Sequence, residues 1–261
     1  MAERGERSTQ DRDSVGVKSV ETSHRVVDAL EELNGARVVE VAEHTGLTKG
    51  AVHKHLTTLV KNGYAMKEGD EYRLGFRFLD IGGALRAQYP AASIIRSKIK
   101  ETAEETNEVG LFSIQANLRS VTLFREIGQT GVFTRARVGT HLHLHETASG
   151  KAMLSQYSDE EVRRIIDVTG LPGTTENAIT DEDELFERLE VVRERGYAYN
   201  QAESTEGLWA VSVPLVPDDE VLGACSVAGP RHRLNVDQRR EEIRMVLLSI
   251  VNELELNIAH S

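Results

Sequence analysis

Residues 19 to 75 hold three short apolar-patterned segments, each closed by a glycine, and then a pair of strand-like runs. In "SVETSHRVVDALEEL", Val20, Val26, Val27, Leu30 and Leu33 recur at helical spacing and form one apolar stripe, which Asn34-Gly35 ends. "VVEVAEHTG" reads as a short second helix with Val38, Val41 and Ala42 inward, broken at Gly46. Thr48 caps a third helix whose buried face is Ala51, Val52, Leu56, Leu59 and Val60, ended by Asn62-Gly63. "YAMKEGDEYRLG" then places two short runs around Glu-Gly-Asp, a hairpin signature. Three short helices and a hairpin in so little chain are the layout of a winged helix-turn-helix.

The charge pattern says what the third helix is for. The chain carries 31 Lys+Arg against 42 Asp+Glu, a net charge of −11, and on average repels nucleic acid. Yet the 24 residues from His44 through Lys67 contain no Asp or Glu, where the overall acid content predicts about four. Residues 1 to 80 carry 12 basic and 14 acidic side chains, a net of −2, whereas residues 81 to 261 carry 19 and 28, a net of −9. A helix entering the major groove gains from each lysine and loses from each carboxylate. Thr48, Lys49, Gly50, His53, Lys54, Thr57, Thr58 and Lys61 fall on the face opposite the apolar one. Lys49 and Lys54 suit phosphate or guanine contacts, and His53 and Thr57 suit base edges. Gly50 permits close approach near the helix start, where such helices read bases. Lys61 extends the basic face, and Lys67 and Arg73 of the wing are placed to touch backbone. The predicted macromolecular partner is double-stranded DNA, read by two half-sites of a dimer.

Residues 1 to 16 read as a charged, disordered tail, 17 to 75 as the winged-helix domain, and 76 to 90 as a linker helix despite Gly82-Gly83. From 91 to 261 the pattern is that of a domain of α+β class. "SIIRSKIKETAEET" is an amphipathic helix. "VGLFSIQ" and "SVTLFREIG" form a hairpin, and "HLHLHETASGKAMLSQ" runs from strand or loop into helix. "DEEVRRIID" and "DEDELFERLEVVRERG" are helices with acidic first turns that suit the helix dipole. "YAYNQ", "LWAVSVPLV" and "VLGACSVAGP" are strands before a long final helix.

Composition removes several classes. One cysteine, Cys225, excludes an intramolecular disulfide and the usual thiolate metal sites. The polar start "MAERGERSTQDRDS" is no signal peptide, and "MVLLSIV" is far short of a membrane span, so a cytoplasmic protein without a membrane partner is expected. The high acidity also resembles that of proteins from saline cytoplasms.

With these residues in view, the chain resembles the IclR-type transcriptional regulators from about Gly16 to its end. "VKSVETSHRVVDALEEL", "VVEVAEHTGLTKGAVHKHLTTLVKNGYAM" and "YRLGFRFLDIGGAL" resemble the family's opening helix, its helix-turn-helix, and its wing exit with linker helix. "LHLHETASGKAML", "RGYAYNQAESTEGLWAVSVPL" and "VLGACSVAGPRHRL" match three blocks of its effector domain in order. The resemblance implies a winged helix, a linker helix and a GAF-like or profilin-like α+β domain that senses a small metabolite, often an organic acid. It implies a homodimer or homotetramer, and no cofactor. It also implies an effector pocket lined by Thr147, Ala148, Ser149 and Gly150, by Asn200 to Glu203, and by Ala210 and Ser226. Trp209, the single tryptophan, either walls that pocket or fills core. The chain departs from the family at three positions. Lys54 stands where an arginine is frequent and loses the bidentate fork. Asn200 and Ala210 stand where several members have an acidic residue and a cysteine.

Small residues before a helix also suggest, without the family, that "HETASGK" offers backbone N–H groups to an anion. The same small residues equally permit tight packing. His141, His143 and His145 recur at period two and, with Glu146 or Glu203, make the only metal candidate; an exposed strand edge is the simpler reading, and no metal is expected. An enzyme would have to use Ser149, Lys151, Cys225, Glu203 or Glu206. No GxSxG elbow surrounds a serine, and Cys225 sits in an apolar strand, so catalysis is not expected.

Overall fold

The computed structural model describes residues 16–131 and 137–259. The charged tail read over 1–16 therefore lies outside the described residues, apart from Gly16. The chain divides into two compact units between Gln88 and Tyr89.

In the first unit, α1 (Lys18–Glu32) leads through the two-residue strand β1 (Ala36–Arg37) to α2 (Val38–Thr45) and α3 (Lys49–Lys61). Strands β2 (Ala65–Glu68) and β3 (Glu71–Leu74) form the wing, and α4 (Arg77–Ala87) follows. Gly46 takes φ +70° at the end of α2, a left-handed conformation that glycine adopts without steric cost, and so turns the chain into α3. Thr48 then caps α3, its Oγ1 accepting from the Ala51 amide at 3.3 Å. The core is Val26, Ala29, Leu30, Val41, Ala42, Val52, Leu56, Leu59, Ala65 and Tyr72. Glu68 pairs with Glu71 across the two-residue turn Gly69-Asp70, as the hairpin signature required. Tyr64 packs edge-on against Phe78 of α4, ring centroids 5.1 Å apart.

Two features depart from the sequence reading. Val20, Leu33 and Val60, read as inward, are exposed. The core is narrow enough that only the central turns of α1 and α3 reach it. Strand β1, which pairs antiparallel with β3 and makes the sheet β1-β3-β2, is too short to show a period.

The second unit starts with α5 (Ala92–Thr106) and the hairpin β4 (Val109–Ala116) and β5 (Arg119–Ile127), with a register shift at Phe112/Ser113. Then come β6 (His141–His143), α6 (Ala148–Leu154), α7 (Asp159–Thr169) and α8 (Glu182–Arg195). Strands β7 (Ala198–Gln201), β8 (Leu208–Leu215) and β9 (Gly223–Pro230) precede the short α9 (Arg231–Leu234) and the long α10 (Asp237–Ala259). The sheet is antiparallel throughout, in the order β6-β5-β4-β9-β8-β7. Alternation splits each strand between two faces. Phe112, Val211, Val213, Leu215, Cys225 and Val227 pack against Ile95 and Ile99 of α5 and Ile243, Leu247, Ile250 and Leu254 of α10. On the α6 side, Leu144, Ala152, Met153 and Leu154 form a second core with Leu185, Leu189 and Val192 of α8.

Candidate functional site

The candidate nucleic-acid face lies on α3. Thr48, Lys49, Gly50, His53, Lys54, Thr57, Thr58 and Lys61 are all exposed, while Val52, Leu56 and Leu59 hold the helix to its domain. The hydroxyls of Thr57 and Thr58 donate back to the carbonyls of His53 and Lys54 at 2.8 and 2.9 Å, so both oxygens face outward as acceptors. Among the described residues, Lys49, Lys54 and Lys61 form no ion pair. On the wing, Lys67 lies 5.5 Å from the Tyr72 ring centroid. Arg73 is exposed but sits 3.6 Å from Glu71 and 3.9 Å from Glu68. Two carboxylates therefore compete with any phosphate for its guanidinium.

The second unit contains a cavity of about 630 Å³. One wall is Thr140 to His143 with Glu146; the other is Thr174, Thr175, Ser204 to Glu206, and Leu208. The sequence motifs surround this space without forming most of its surface. Thr147, Ala148, Ser149 and Gly150 are buried in the first turn of α6. Thr147 Oγ1 accepts from the Gly150 amide at 2.9 Å, and Ser149 Oγ lies 3.2 Å from Ser120 Oγ. The N–H groups expected to receive an anion are thus partly claimed by the protein itself. A Cβ on Gly150 would lie 2.0 Å from the Leu144 carbonyl oxygen, so glycine is required there by backbone packing.

Asn200 and Glu203 brace the cavity from behind. Asn200 Nδ2 donates to the Glu146 carbonyl at 2.6 Å and to Ser204 Oγ at 2.9 Å, while its Oδ1 accepts from the Glu203 amide at 3.0 Å. Glu203 Oε1 accepts from the Gln201 amide at 3.2 Å, and its Oε2 accepts from the fully buried ammonium of Lys151. Burial holds Lys151 well below its usual lysine value, with repulsion from Arg188 and Arg195 adding to the effect. Thr174 and Thr175 close the network: their hydroxyl oxygens lie 3.2 and 2.9 Å from the Glu203 carbonyl oxygen.

Ala210 stands two residues from cavity-lining Leu208 on the same strand face, beside Val109, Leu111 and Ala228. Ser226 donates to Ser212 at 2.8 Å on that face. Trp209, between Leu208 and Ala210, points the other way. It belongs to the core under α10, with the Arg240 guanidinium 5.3 Å from its ring. Of the two roles left open for it, packing selects core, because neighbours on a strand face opposite sides. Thr174 and Thr175 had no signal beyond lying in a polar loop, and only the fold brings them opposite Glu146.

The three histidines take separate partners. His141 Nδ1 lies 2.8 Å from the Gly139 carbonyl, His143 Nδ1 meets Arg119, and His145 Nε2 donates to the Pro172 carbonyl at 3.0 Å. Among the described residues, no group of three or more His, Cys, Asp or Glu could hold a metal ion. Cys225 is buried, and burial pushes its thiol up to about 12.

Burial lowers the pKa of both His143 and His145, with Arg119 reinforcing the shift at His143. For these bases the folded value lies below the unfolded one near 6.5, so the unfolded chain binds protons first. Stability is full above the unfolded value and is lost as pH falls through the folded ones. Differential scanning calorimetry should show the melting temperature falling between pH 7.5 and 5.5, and His145→Gln should flatten that slope. An unchanged slope in the variant would remove His145 from the account.

Both units match known families. Residues 19–69 match the IclR helix-turn-helix domain, and residues 88–255 match the bacterial transcriptional regulator IclR C-terminal domain. The probable HTH-type transcriptional regulator ArcR of Halobacterium salinarum is 26% identical over 247 residues, covering 93% of this chain and 94% of the relative. The transcriptional repressor IclR of Escherichia coli is 24% identical over 246 residues, covering 92% and 89%. Among solved structures, the Thermotoga maritima IclR superposes with a TM-score of 0.78 at 21% identity, covering 93% of this chain and 99% of that one. An IclR homolog from Microbacterium hydrocarbonoxydans complexed with 4-hydroxybenzoate gives 0.76 at 17% identity, covering 92% and 100%. Among the described residues no helix is long and apolar enough to cross a membrane. The two family matches together span the helix-turn-helix and the α+β unit, and the chain belongs to the IclR family of transcriptional regulators.

Proposed function

We propose that residues 17–75 bind operator DNA through α3, with Lys49, Lys54 and Lys61 on phosphates and Thr48, Gly50, His53, Lys54 and Thr57 near base edges. The exposed face of α3, free of carboxylates in a chain of net charge −11, carries this reading. Residues 91–261 bind a small organic metabolite in the cavity beside Glu146, and occupancy changes operator affinity. The solved relative with 4-hydroxybenzoate supports an effector of that size. The protein acts in the cytoplasm, without a membrane partner and without catalysis; Cys225, buried with a raised thiol pKa, is no nucleophile.

The functional form is a homodimer or homotetramer. The exposed apolar side chains Phe76, Leu79 and Leu85 on and beside α4 favour a second copy as their cover. Sedimentation of the purified protein tests this, and a monomer at micromolar concentration refutes it. Genome-wide mapping of bound DNA tests the regulatory reading. Sites recovered upstream of genes, bound by purified protein at the cell's own ionic strength, are expected. Failure to bind any recovered promoter in vitro would overturn it.

A further inference from the structure

The cavity wall is rich in hydrogen-bond acceptors. Thr174 donates its hydroxyl proton to Glu146 Oε2 at 2.7 Å, and Thr175 donates its own to the Ala202 carbonyl at 2.8 Å. With those protons committed inward, both threonine oxygens offer a ligand lone pairs. His141 Nδ1 is held by the Gly139 carbonyl at 2.8 Å, so a neutral ring presents Nε2 as a further acceptor. Glu146 and Glu206 add two carboxyl groups to the cavity lining, one from each wall. Glu146 is only 2% exposed, so an occupant that removes the remaining water must return donors to it or leave it unsatisfied.

The wall also offers donors. Arg119 can only donate, so its contact with His143 Nδ1 makes that atom the acceptor and leaves the neutral ring's proton on Nε2. Ser204 Oγ accepts from Asn200 at 2.9 Å and keeps its own proton to give. A hydroxyl both donates and accepts; an ammonium only donates, and a bare carboxylate only accepts. Of these three groups the hydroxyl matches both sets.

We infer that the cavity selects a hydroxylated small molecule and that Glu146 is the specificity-determining residue that accepts its hydroxyl proton. This rests on the cavity being the effector site. Glu146 is held ready for the role: Thr174 fixes its carboxyl and Asn200 fixes its backbone carbonyl.

The test is calorimetric titration of the full-length protein with matched probes: 4-hydroxybenzoate against benzoate, and gluconate against hexanoate. In at least one pair the hydroxylated member should bind about tenfold tighter or better, because a site built for a hydroxyl rejects the analogue lacking it. In Glu146→Gln, which replaces an acceptor oxygen by a donor, that preference should vanish. Should Glu146→Gln not fold, exposed Glu206→Gln must narrow the preference instead. Equal binding within both pairs, a preference that survives the variant, or no binding by either hydroxylated probe overturns the inference. Leu208→Trp fills the cavity and tests the underlying reading separately: binding that survives it moves the effector site elsewhere.

Discussion

Reversing one charge on α3, by Lys54→Glu, should abolish operator binding in a mobility-shift assay at moderate salt while the protein stays folded. Lys54 is exposed and makes no ion pair among the described residues, so the fold does not depend on its charge. On DNA the same side chain faces a dense row of phosphates. Neutralising it by Lys54→Ala removes about one phosphate contact and so reduces the log–log salt slope by about one. If it reads a base, discrimination at that position falls by about 1–3 kcal/mol. The glutamate goes further, placing the first carboxylate in a window that otherwise has none from His44 through Lys67. Wing substitutions supply the control. Arg73 already stands between Glu68 and Glu71, so Arg73→Ala should cost much less than Lys54→Ala. Equal losses from both would mean that the wing contributes as much to docking as the helix.

The second large effect is on stability. Lys151→Met should lower the melting temperature of the effector unit by roughly 6 to 20 °C, from a loss of about 3–5 kcal/mol. Lys151 is wholly buried and its Nζ serves the carboxyl of Glu203, which is also buried. Methionine fills the lysine volume but leaves that carboxyl supported by the Gln201 amide alone. The double variant Lys151→Met, Glu203→Gln should recover most of the loss, since a neutral pair removes the buried charge altogether. Calorimetry of the four proteins measures the coupling. A double variant as unstable as Lys151→Met would show that lysine packing, not satisfaction of Glu203, is what matters.

The elements that sequence period and punctuation can encode were legible. The three helices, the hairpin at Gly69-Asp70, α5, the β4–β5 hairpin and the long α10 all follow from stripes, alternation or glycine. What could not be read is set by tertiary partners. Strand β1 exists only because β3 pairs with it, and Val20 and Val60 look like core until the domain proves too narrow to cover them. The same holds for the cavity. "HETASGK" lies beside the cavity, but Thr147 is spent on capping α6 and Gly150 on packing it against Leu144. The wall residues Thr174, Thr175 and Ser204 come from two loops with no pattern of their own, and Thr174 is joined to Glu146 and to Ser204 by hydrogen bonds that each span about 30 residues of chain. The proposed DNA contacts lie along one helix and can be read locally; a pocket assembled from distant loops cannot.

The placement of Trp209 beneath α10 governs what intrinsic fluorescence can report. Its indole is shielded by Arg240 and faces away from Leu208, so emission follows how firmly the last helix is seated. A metabolite titration that leaves the spectrum flat is therefore compatible with full occupancy. A red shift would instead announce that α10 has loosened, which makes this chromophore a built-in gauge of unfolding rather than of ligand.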